Sequence, residues 1–286
     1  MKLYHLAILL VSAGLTSCNS NSEKKAEGLA DSTKIVSLSG SVSEVLAGIG
    51  LGKNIVGTDI TSNYPEAMKA KPKVGHNKNI NAEGVMALQP DLVIGIKKDV
   101  APALAAQFKA AGVKLLLVDQ DYSVDGTKKL IHNLADSLHL SLKGDSLVKV
   151  LESDLAKVKA EEQQTKAKVL FIYARGTGTM MVGGTGTQVD KAIALAGAEN
   201  AVKEFADYKP LTAEALVKAN PDIILLFDSG LQSLGGPTGL SKVQGIKQSN
   251  AGKNNRFITM DGELLSSFGP RLGVAIQELA AKLKNQ

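Results

Sequence analysis

Arginine is the rarest cation in this chain and the first candidate for specific chemistry. Lys and Arg together number 33, and only Arg175, Arg256 and Arg271 are arginines. Arg175 directly follows a predicted strand, and Arg271 follows Phe268-Gly269-Pro270 in a loop just past a strand end. Open α/β sheets bind ligands at this carboxyl edge, and arginine can hold a carboxylate with two hydrogen bonds. We therefore expect Arg175 and Arg271 to contact a ligand, with an internal salt bridge as the alternative. Arg256 begins a strand and is expected to be structural.

Tyr64 is the second candidate, because aromatic residues make up only 4% of the chain and this one lies in a polar loop. The loop reads Thr61-Ser62-Asn63-Tyr64-Pro65 and follows the end of a predicted strand. The ring could pack on the surface of its own lobe. The alternative is a phenol that faces a cleft and stacks on, or coordinates, a bound molecule.

The sequence lacks the patterns of common enzymes. There is no Gly-x-Ser-x-Gly nucleophile elbow, residues 176–181 lack the third glycine of a dinucleotide fingerprint, and there is no Walker lysine. The single cysteine excludes an internal disulfide and a thiolate metal cluster. His76 lies alone in a loop, and His132 and His139 fall on one predicted helix that faces solvent, so a tight all-protein metal site is not expected. Scattered lysines argue against a nucleic-acid partner. We predict a binding protein rather than an enzyme.

The N-terminus resembles a bacterial lipoprotein signal. Lys2 precedes an apolar run over residues 6–15 that is too short for a permanent membrane span, and the run ends in Leu15-Thr16-Ser17-Cys18. We predict a cleaved signal peptide over residues 1–17, lipidation of Cys18 and a polar tether over residues 18–32. The protein would then lie at the periplasmic face or in the cell envelope, and would touch the membrane only through its lipid.

One supersecondary pattern occurs twice. Residues 82–94 return as residues 213–225, each with a short amphipathic helix, a Pro-Asp pair and a β-branched run suited to a buried strand. Glu83 and Glu214 hold matched positions in the first turns of these helices. The helix dipole alone favours acidic residues there, but the matched placement also suggests a symmetric docking role. A repeat this long indicates two similar lobes with a ligand cleft between them.

The predicted elements describe an α/β fold of two similar lobes, each a mostly parallel sheet flanked by helices, joined by one long rigid helix. The N-terminal lobe is predicted over residues 33–140, the connecting helix over 141–165 and the C-terminal lobe over 166–286. Strands alternate with helices, as in parallel sheets. The glycine-rich residues 175–187 and 230–239 are predicted to be loops. A helical connection in place of a loop predicts little opening and closing.

With these features, residues 33–286 resemble the helical-backbone class of substrate-binding lipoproteins, which serve ABC importers of vitamin B12, siderophores and haem. The matched glutamates mark the class. The similarity is greatest to the hemin-binding branch. The segments that carry it are Tyr64-Pro65, Gly75, and residues 81–85, 178–184, 208–212, 230–236 and 268–271.

The resemblance implies a role for each candidate residue. Tyr64 would ligate the ferric iron of haem, since a phenolate is a hard anionic donor. Arg175 would lie near the haem propionates or the axial tyrosine, and His76 could be a second axial ligand. Glu83 and Glu214 would dock the two lobes onto the permease dimer that works with an ATPase. Haem would be the transported ligand, and we expect the carrier to be a monomer.

One departure and one alternative stay open. Some hemin binders carry an arginine just before the Gly-Leu of the second-lobe glycine segment, where this chain has Asp228-Ser229. Stabilisation of the phenolate would then have to come from elsewhere. The alternative function is a carrier of cobalamin or of a ferric siderophore.

Overall fold

A computed structural model gives the fold of the protein. It describes residue 30 and residues 32–76, 79–160 and 167–285. The predicted signal peptide, Cys18, most of the predicted tether and the end of the predicted connecting helix lie outside these described residues. None of the described helices combines the length and the apolar character needed to cross a membrane.

The N-terminal lobe is built on a four-stranded parallel sheet. Along the chain its elements are β1 (Ile35–Ser37), α1 (Gly40–Gly48), β2 (Ile55–Thr58), β3 (Gly75–His76), β4 (Asn79–Ile80), α2 (Ala82–Ala87), β5 (Leu92–Ile96), α3 (Pro102–Ala110), β6 (Lys114–Val118) and α4 (Val124–Ser137). The strand order is β2-β1-β5-β6, and β3 and β4 form a separate antiparallel pair. Short 3₁₀ turns at Gly52–Asn54 and Glu66–Met68 flank β2 and its following loop.

Helix α5 (Ser141–Ala160) leads to the C-terminal lobe, whose sheet is mixed. Its elements are β7 (Lys168–Ala174), β8 (Met180–Gly183), α6 (Gln188–Leu195), β9 (Glu199–Asn200), β10 (Tyr208–Pro210), α7 (Ala213–Ala219), β11 (Ile223–Phe227), α8 (Asp228–Ser233), α9 (Gly236–Leu240), α10 (Asn250–Lys253), β12 (Phe257–Met260), α11 (Gly262–Ser266) and α12 (Leu272–Lys284), with a 3₁₀ turn at Ile246–Gln248. The strand order is β10-β8-β7-β11-β12, and β9 pairs with β7. Strands β7, β11 and β12 are parallel, whereas β8 and β10 are antiparallel to their neighbours.

The two lobes share a parallel core in the same order, β1-β5-β6 in one and β7-β11-β12 in the other. The repeated Pro-Asp pair has the same task in both. Asp91 Oδ2 accepts a hydrogen bond from Lys34 N at 2.7 Å, and Asp222 Oδ2 accepts one from Lys168 N at 3.0 Å. Each carboxylate thereby fixes the start of the neighbouring strand. The predicted fold of two similar α/β lobes is confirmed.

Two segments predicted as loops contain regular structure. Residues 175–187 include β8, because the apolar stretch Met180-Met181-Val182 finds strand partners on both sides, β7 and β10. Residues 230–239 belong largely to α8 and α9, which are separated at Gly235, where φ is 86°. Those loop predictions were wrong because a high glycine content does not reveal distant pairing partners.

The helix α4 ends before His139, so the prediction that one helix carries both His132 and His139 was wrong. His139 has a φ of 57°. Its N–H bonds to Asp136 O at 3.1 Å, and Leu140 N bonds to Ala135 O at 2.7 Å. This pair of bonds is a Schellman motif, which satisfies the last carbonyl groups of a helix and stops it.

Helix α5 is packed by close contacts to helices of both lobes. At Gly144 a Cβ would lie 2.6 Å from Ala135 Cβ of α4, and at Gly273 a Cβ would lie 2.5 Å from Asp154 Cβ of α5. One hydrophobic core also runs from lobe to lobe and includes Ile35, Leu151 and Ile276. These contacts hold the lobes at a fixed separation, since packed interiors resist deformation.

Gly273→Ala should lower the free energy of unfolding by about 1–3 kcal/mol. The new methyl group would also lie 3.0 Å from Leu155 N, so α5 and α12 would have to separate. This cost exceeds the roughly 1 kcal/mol that alanine gains over glycine in helix propensity. Thermal or urea unfolding measures the change. The control is Gly178→Ala, where a Cβ would meet no atom within 4 Å, and equal stability of the two variants would contradict the close contact.

Candidate functional site

The carboxyl ends of the parallel strands in the two lobes face each other, and hydrogen bonds cross between them. Tyr122 Oη accepts a bond from Gln188 Nε2 at 2.9 Å, and Gln120 Nε2 donates to Ser267 O at 2.8 Å. Tyr122 and Gln120 follow β6 in the N-terminal lobe, whereas the other two residues belong to the C-terminal lobe. Polar side chains of both lobes therefore meet where open α/β sheets bind ligands.

Tyr64 lies beneath Arg271 at this junction. Tyr64 is 44% exposed, and the Cζ atom of Arg271 lies 3.6 Å from the centre of its ring. Arg271 Nη2 also donates to Glu44 Oε1 at 2.7 Å. Glu44 belongs to α1 of the N-terminal lobe and is buried, so this ion pair joins the lobes. A guanidinium over the face of an aromatic ring is attracted by its negative quadrupole, which fixes the ring as well as the arginine.

A second carboxyl group, that of Glu263 in the first turn of α11, reaches the same loop. Its Oε2 accepts a hydrogen bond from Asn63 N at 2.7 Å. Burial raises the pKa of Glu263 to about 7; the Asn63 N–H opposes this shift and the Glu44 carboxyl reinforces it. Burial also raises the pKa of Glu44, although Arg271 opposes the shift. Two carboxyl groups therefore share one guanidinium, and one of the two is easily protonated.

This ionic cluster is partly buried: Glu44 is fully enclosed, whereas the side chain of Arg271 keeps 21% of its surface exposed. Glu44 Oε2, Glu263 Oε1 and Arg271 Nε are buried and have no hydrogen-bond partner among the described residues. Glycine makes this close fit possible, because a Cβ at Gly40 would lie 2.9 Å from Glu263 Oε1 and one at Gly269 would lie 3.1 Å from Glu44 Oε2.

The segment that carries Arg271 is anchored to the N-terminal lobe. Phe268 is fully buried, and its ring centre lies 5.5 Å from that of Tyr122. Thr127 Oγ1 donates to Phe268 O at 3.1 Å. Phe268 has a φ of 48°, which is strained for a bulky residue and persists only where the surroundings enforce it. These contacts fix the position of the backbone that carries Arg271.

The loop that carries Tyr64 rests on buried polar groups. Asp59 accepts hydrogen bonds from Thr61 N at 3.0 Å and from the hydroxyl groups of Thr61 and Ser62. The hydroxyl groups of Ser62 and Ser43 lie 3.0 Å apart. Asp59, Ser62 and Ser43 are completely buried. The loop is therefore tied to β2 and α1 rather than left free in solvent.

The facing edge of the C-terminal lobe carries Tyr173 and Arg175. Arg175 is exposed, its Cζ lies 6.0 Å from the Tyr173 ring centre, and it forms no ion pair with a described residue. Burial raises the pKa of Tyr208 in the same lobe to about 12, so that phenol stays neutral. No contact among the described residues joins Arg175 to Tyr64. The arginine that the structure brings to Tyr64 is Arg271.

His76 ends β3 and is exposed. Its strand is attached to the start of the Tyr64 loop, because Ile60 N donates to Gly75 O at 2.9 Å. Within the described part of the chain, no contact joins the imidazole to Tyr64. The structure therefore places His76 beside the loop and not in the ionic cluster.

Glu83 and Glu214 lie at equivalent points on the two lobes. Both are exposed in the first turn of their helices, α2 and α7. Asn81 and Thr212 are the N-caps of these helices, and their side chains accept hydrogen bonds from backbone N–H groups of the first turn. The same capping geometry presents both carboxylates to solvent in the same way.

Two residues of the cluster, Glu44 and Glu263, were missed by the sequence analysis. Glu44 carried a signal, since it is the single charged residue of an otherwise uncharged helix, α1. A lone acid on a buried helix needs a cation, and the rare Arg271 was available. Glu263 carried no such signal, because an acidic residue in the first turn of a short helix is ordinary, and its close approach to Gly40 in the other lobe is not visible in the sequence.

Known proteins share this architecture. The family described as periplasmic binding protein matches residues 35–264. The periplasmic heme-binding protein RhuT from Roseiflexus sp. RS-1, in apo form, has a TM-score of 0.85 and 36% identity over 89% of this chain and 98% of its own. An uncharacterized ABC transporter substrate-binding lipoprotein, YvrC of Bacillus subtilis (strain 168), is 31% identical over 87% of this chain and 79% of its own. A vitamin B12-binding protein of Pectobacterium carotovorum subsp. carotovorum (strain PC1) is 20% identical over 87% of this chain and 88% of its own.

Glu263→Gln should flatten the dependence of stability on pH. The pKa of Glu263 is raised from 4.5 to about 7, so the folded protein holds this proton more tightly than the unfolded chain does. The stabilisation is fully present below pH 4.5 and is lost as the pH rises through about 7. Allowing for solvent screening of a partly exposed carboxyl, we expect a loss of about 1–2 kcal/mol over that range.

Urea unfolding at pH 5 and pH 8 measures this effect. Wild type should lose more stability between the two values than Glu263→Gln, because glutamine does not titrate. Glu278→Gln, at a surface pair with Lys282, is the control and should keep the wild-type dependence. Equal slopes for wild type and Glu263→Gln would show that the buried carboxyl does not hold a proton.

Proposed function

We propose, from the premise that this chain belongs to the periplasmic binding protein family, that its interlobe cleft captures hemin. The protein is the substrate-binding component of an ABC transporter and acts by binding rather than by catalysis. The observation that carries the hemin assignment is the half-exposed Tyr64 held under Arg271 between the lobes.

In this proposal Tyr64 is the axial ligand of the ferric iron. A phenolate oxygen is a hard anionic donor that suits Fe(III). The guanidinium of Arg271 places positive charge on the face of the ring, where it would attract the negative charge of a tyrosinate bound to iron. Since Arg271 lies on the face of the ring, it leaves the phenol oxygen open toward a ligand. Some hemin binders have an arginine where this chain has Asp228-Ser229. In this proposal the cation beside the tyrosine is instead Arg271, which comes from a different segment of the C-terminal lobe.

The remaining contacts would be made by the facing edges. Arg175 is exposed and forms no ion pair with a described residue, so it can bind a haem propionate through charge-assisted hydrogen bonds. Tyr173 offers a flat ring against which the macrocycle can pack. His76, attached to the Tyr64 loop through its strand, is the candidate for a second axial position.

The similarity to RhuT supports hemin, and the vitamin B12-binding relative favours cobalamin as the alternative. A ferric siderophore is a further alternative within the same class. The ligand-facing phenol argues for an iron complex with an open axial position. Cobalamin and most ferric siderophores need no phenolate from the protein.

The transport roles complete the proposal. Glu83 and Glu214 would dock the two lobes onto basic residues of the two permease subunits, and the permease–ATPase complex would then take up hemin. Cys18 would carry the lipid that holds the protein at the periplasmic face of the envelope. Both glutamates are exposed at equivalent points of the two lobes, which supports simultaneous docking of both lobes on the permease.

Tyr64→Phe should weaken hemin binding by at least about tenfold, because it removes the iron ligand and keeps the ring under Arg271. Absorbance titration of the soluble body with hemin measures both the affinity and the tyrosinate-type spectrum. Tyr208→Phe, which deletes a phenol hydroxyl of the C-terminal lobe that has no part in the proposed site, is the matched control and should bind as wild type does. Wild-type affinity and spectrum in Tyr64→Phe, or tight binding of cobalamin in place of hemin, would refute the proposal.

Charge reversal at the docking residues should impair delivery and leave capture unchanged. Glu83→Lys or Glu214→Lys should reduce stimulation of the transporter ATPase by roughly tenfold, and the double variant should abolish it, because like charges would meet across the interface. Asp125→Lys, which alters an exposed first-turn acid of α4, is the control. If both single variants and the double variant stimulated the ATPase as wild type does, at equal hemin affinity, these glutamates would be excluded from docking.

A further inference from the structure

The loop that carries Tyr64 is folded around a single ammonium group. Lys73 Nζ donates to Thr58 Oγ1 at 3.0 Å, to Ser62 O at 2.5 Å and to Met68 O at 3.1 Å. Thr58 is the last residue of β2, Ser62 lies within the loop, and Met68 ends the 3₁₀ turn that closes it. The three donor hydrogens of one lysine therefore connect both ends and the middle of the loop.

Tyr64 lies inside this arrangement, between Ser62 and Met68. Both of these flanking residues are buried, at 0% and 1% exposure, so their carbonyl groups have little access to water. Without Lys73 those two carbonyl groups, which belong to buried residues, would lose their side-chain donor, and a buried acceptor without a partner is costly. The loop would then rearrange to find other donors, and Tyr64 would move with it.

The position of Lys73 is itself fixed by the backbone. Thr58 N donates to Pro72 O at 3.0 Å, and Val74 N donates to Thr58 O at 2.9 Å, so the residues on both sides of Lys73 are bonded to the end of β2. Desolvation lowers the pKa of Lys73, while the carboxylate of Asp59 acts in the opposite direction. The side chain of Lys73 as a whole is exposed, but its ammonium group is held by three hydrogen bonds to the loop, with the negative charge of Asp59 nearby.

We propose that Lys73 is a positioning residue for the iron-binding tyrosine: its ammonium group sets the shape of the loop that presents Tyr64 to the cleft. Lys73 does not touch the ligand and acts only through Tyr64. The inference rests on the proposed function, because Tyr64 is assigned there as the axial ligand. It adds a second requirement for binding, at a residue that neither the repeat nor the facing strand ends single out.

A double-mutant cycle tests this proposal. Lys73→Met should weaken hemin binding about tenfold and reduce the tyrosinate-type absorbance, whereas Lys73→Arg, which keeps a multiple cationic donor, should restore most of both. In the Tyr64→Phe background, Lys73→Met should have no further effect, since the residue acts through the missing phenol. Lys71→Met is the control, because the Lys71 ammonium group forms no hydrogen bond or ion pair with a described residue and the backbone bond from Lys71 N to Met68 O is kept, and it should bind as wild type does.

The outcomes separate this proposal from the proposed function. Wild-type affinity and spectrum in Lys73→Met, or equal losses with Tyr64 and with Phe at position 64, would overturn the positioning role and leave hemin capture intact. Failure of the wild-type protein to bind hemin would overturn the proposed function. The role of Lys73 is then decided by amide hydrogen exchange of residues 59–68, which should accelerate in Lys73→Met and stay unchanged in Lys71→Met if the ammonium shapes the loop. Unchanged exchange in Lys73→Met would overturn it.

Discussion

The ion pair between Glu44 and Arg271 is the interaction on which the site depends. Neither charge could be buried alone, because the cost of removing an ion from water exceeds what one lobe offers in return. Glu44 comes from the N-terminal lobe and Arg271 from the C-terminal lobe, at 2.7 Å. The lobes must therefore adopt one relative orientation, and that orientation places the guanidinium over Tyr64. The residue that joins the two lobes is therefore also the one that contacts the proposed ligand-binding tyrosine.

Helix α5, which connects the lobes, keeps this relative orientation rigid. Helix α5 contacts α4 and α12 so closely that Gly144 and Gly273 have no room for a Cβ, and the hydrophobic core continues across the junction. A cleft held in this way loses little conformational freedom when a ligand enters. Preorganisation of this kind raises affinity by lowering the entropic cost of binding. It also means that Glu83 and Glu214, the proposed docking residues, are held at a constant separation.

The sequence predicted those parts of the fold that are encoded locally and repeated. The Pro-Asp pairs, the β-branched runs and the capped helices recur in both lobes, so β5 and β11 and their neighbours could be placed in advance. The hairpin strand β8 could not, because it forms only against β7 and β10. At the site, too, contacts between distant segments could not be predicted from the sequence. Tyr64 and Arg271 were conspicuous as rare residue types, but the contact of Arg271 with Glu44 joins residues 227 positions apart. Lys73 was hidden among many lysines.

The way in which Arg271 meets Tyr64 bears on the choice of ligand. An arginine that donated a hydrogen bond to the phenolate oxygen would compete for the lone pairs that a metal ion needs. Here the guanidinium lies against the ring face at 3.6 Å, and its hydrogen bond goes to Glu44. In the proposed hemin complex, the guanidinium on the ring face leaves the lone pairs of the Tyr64 oxygen free for the metal ion. A phenolate is a hard anionic donor, and such a donor suits Fe(III).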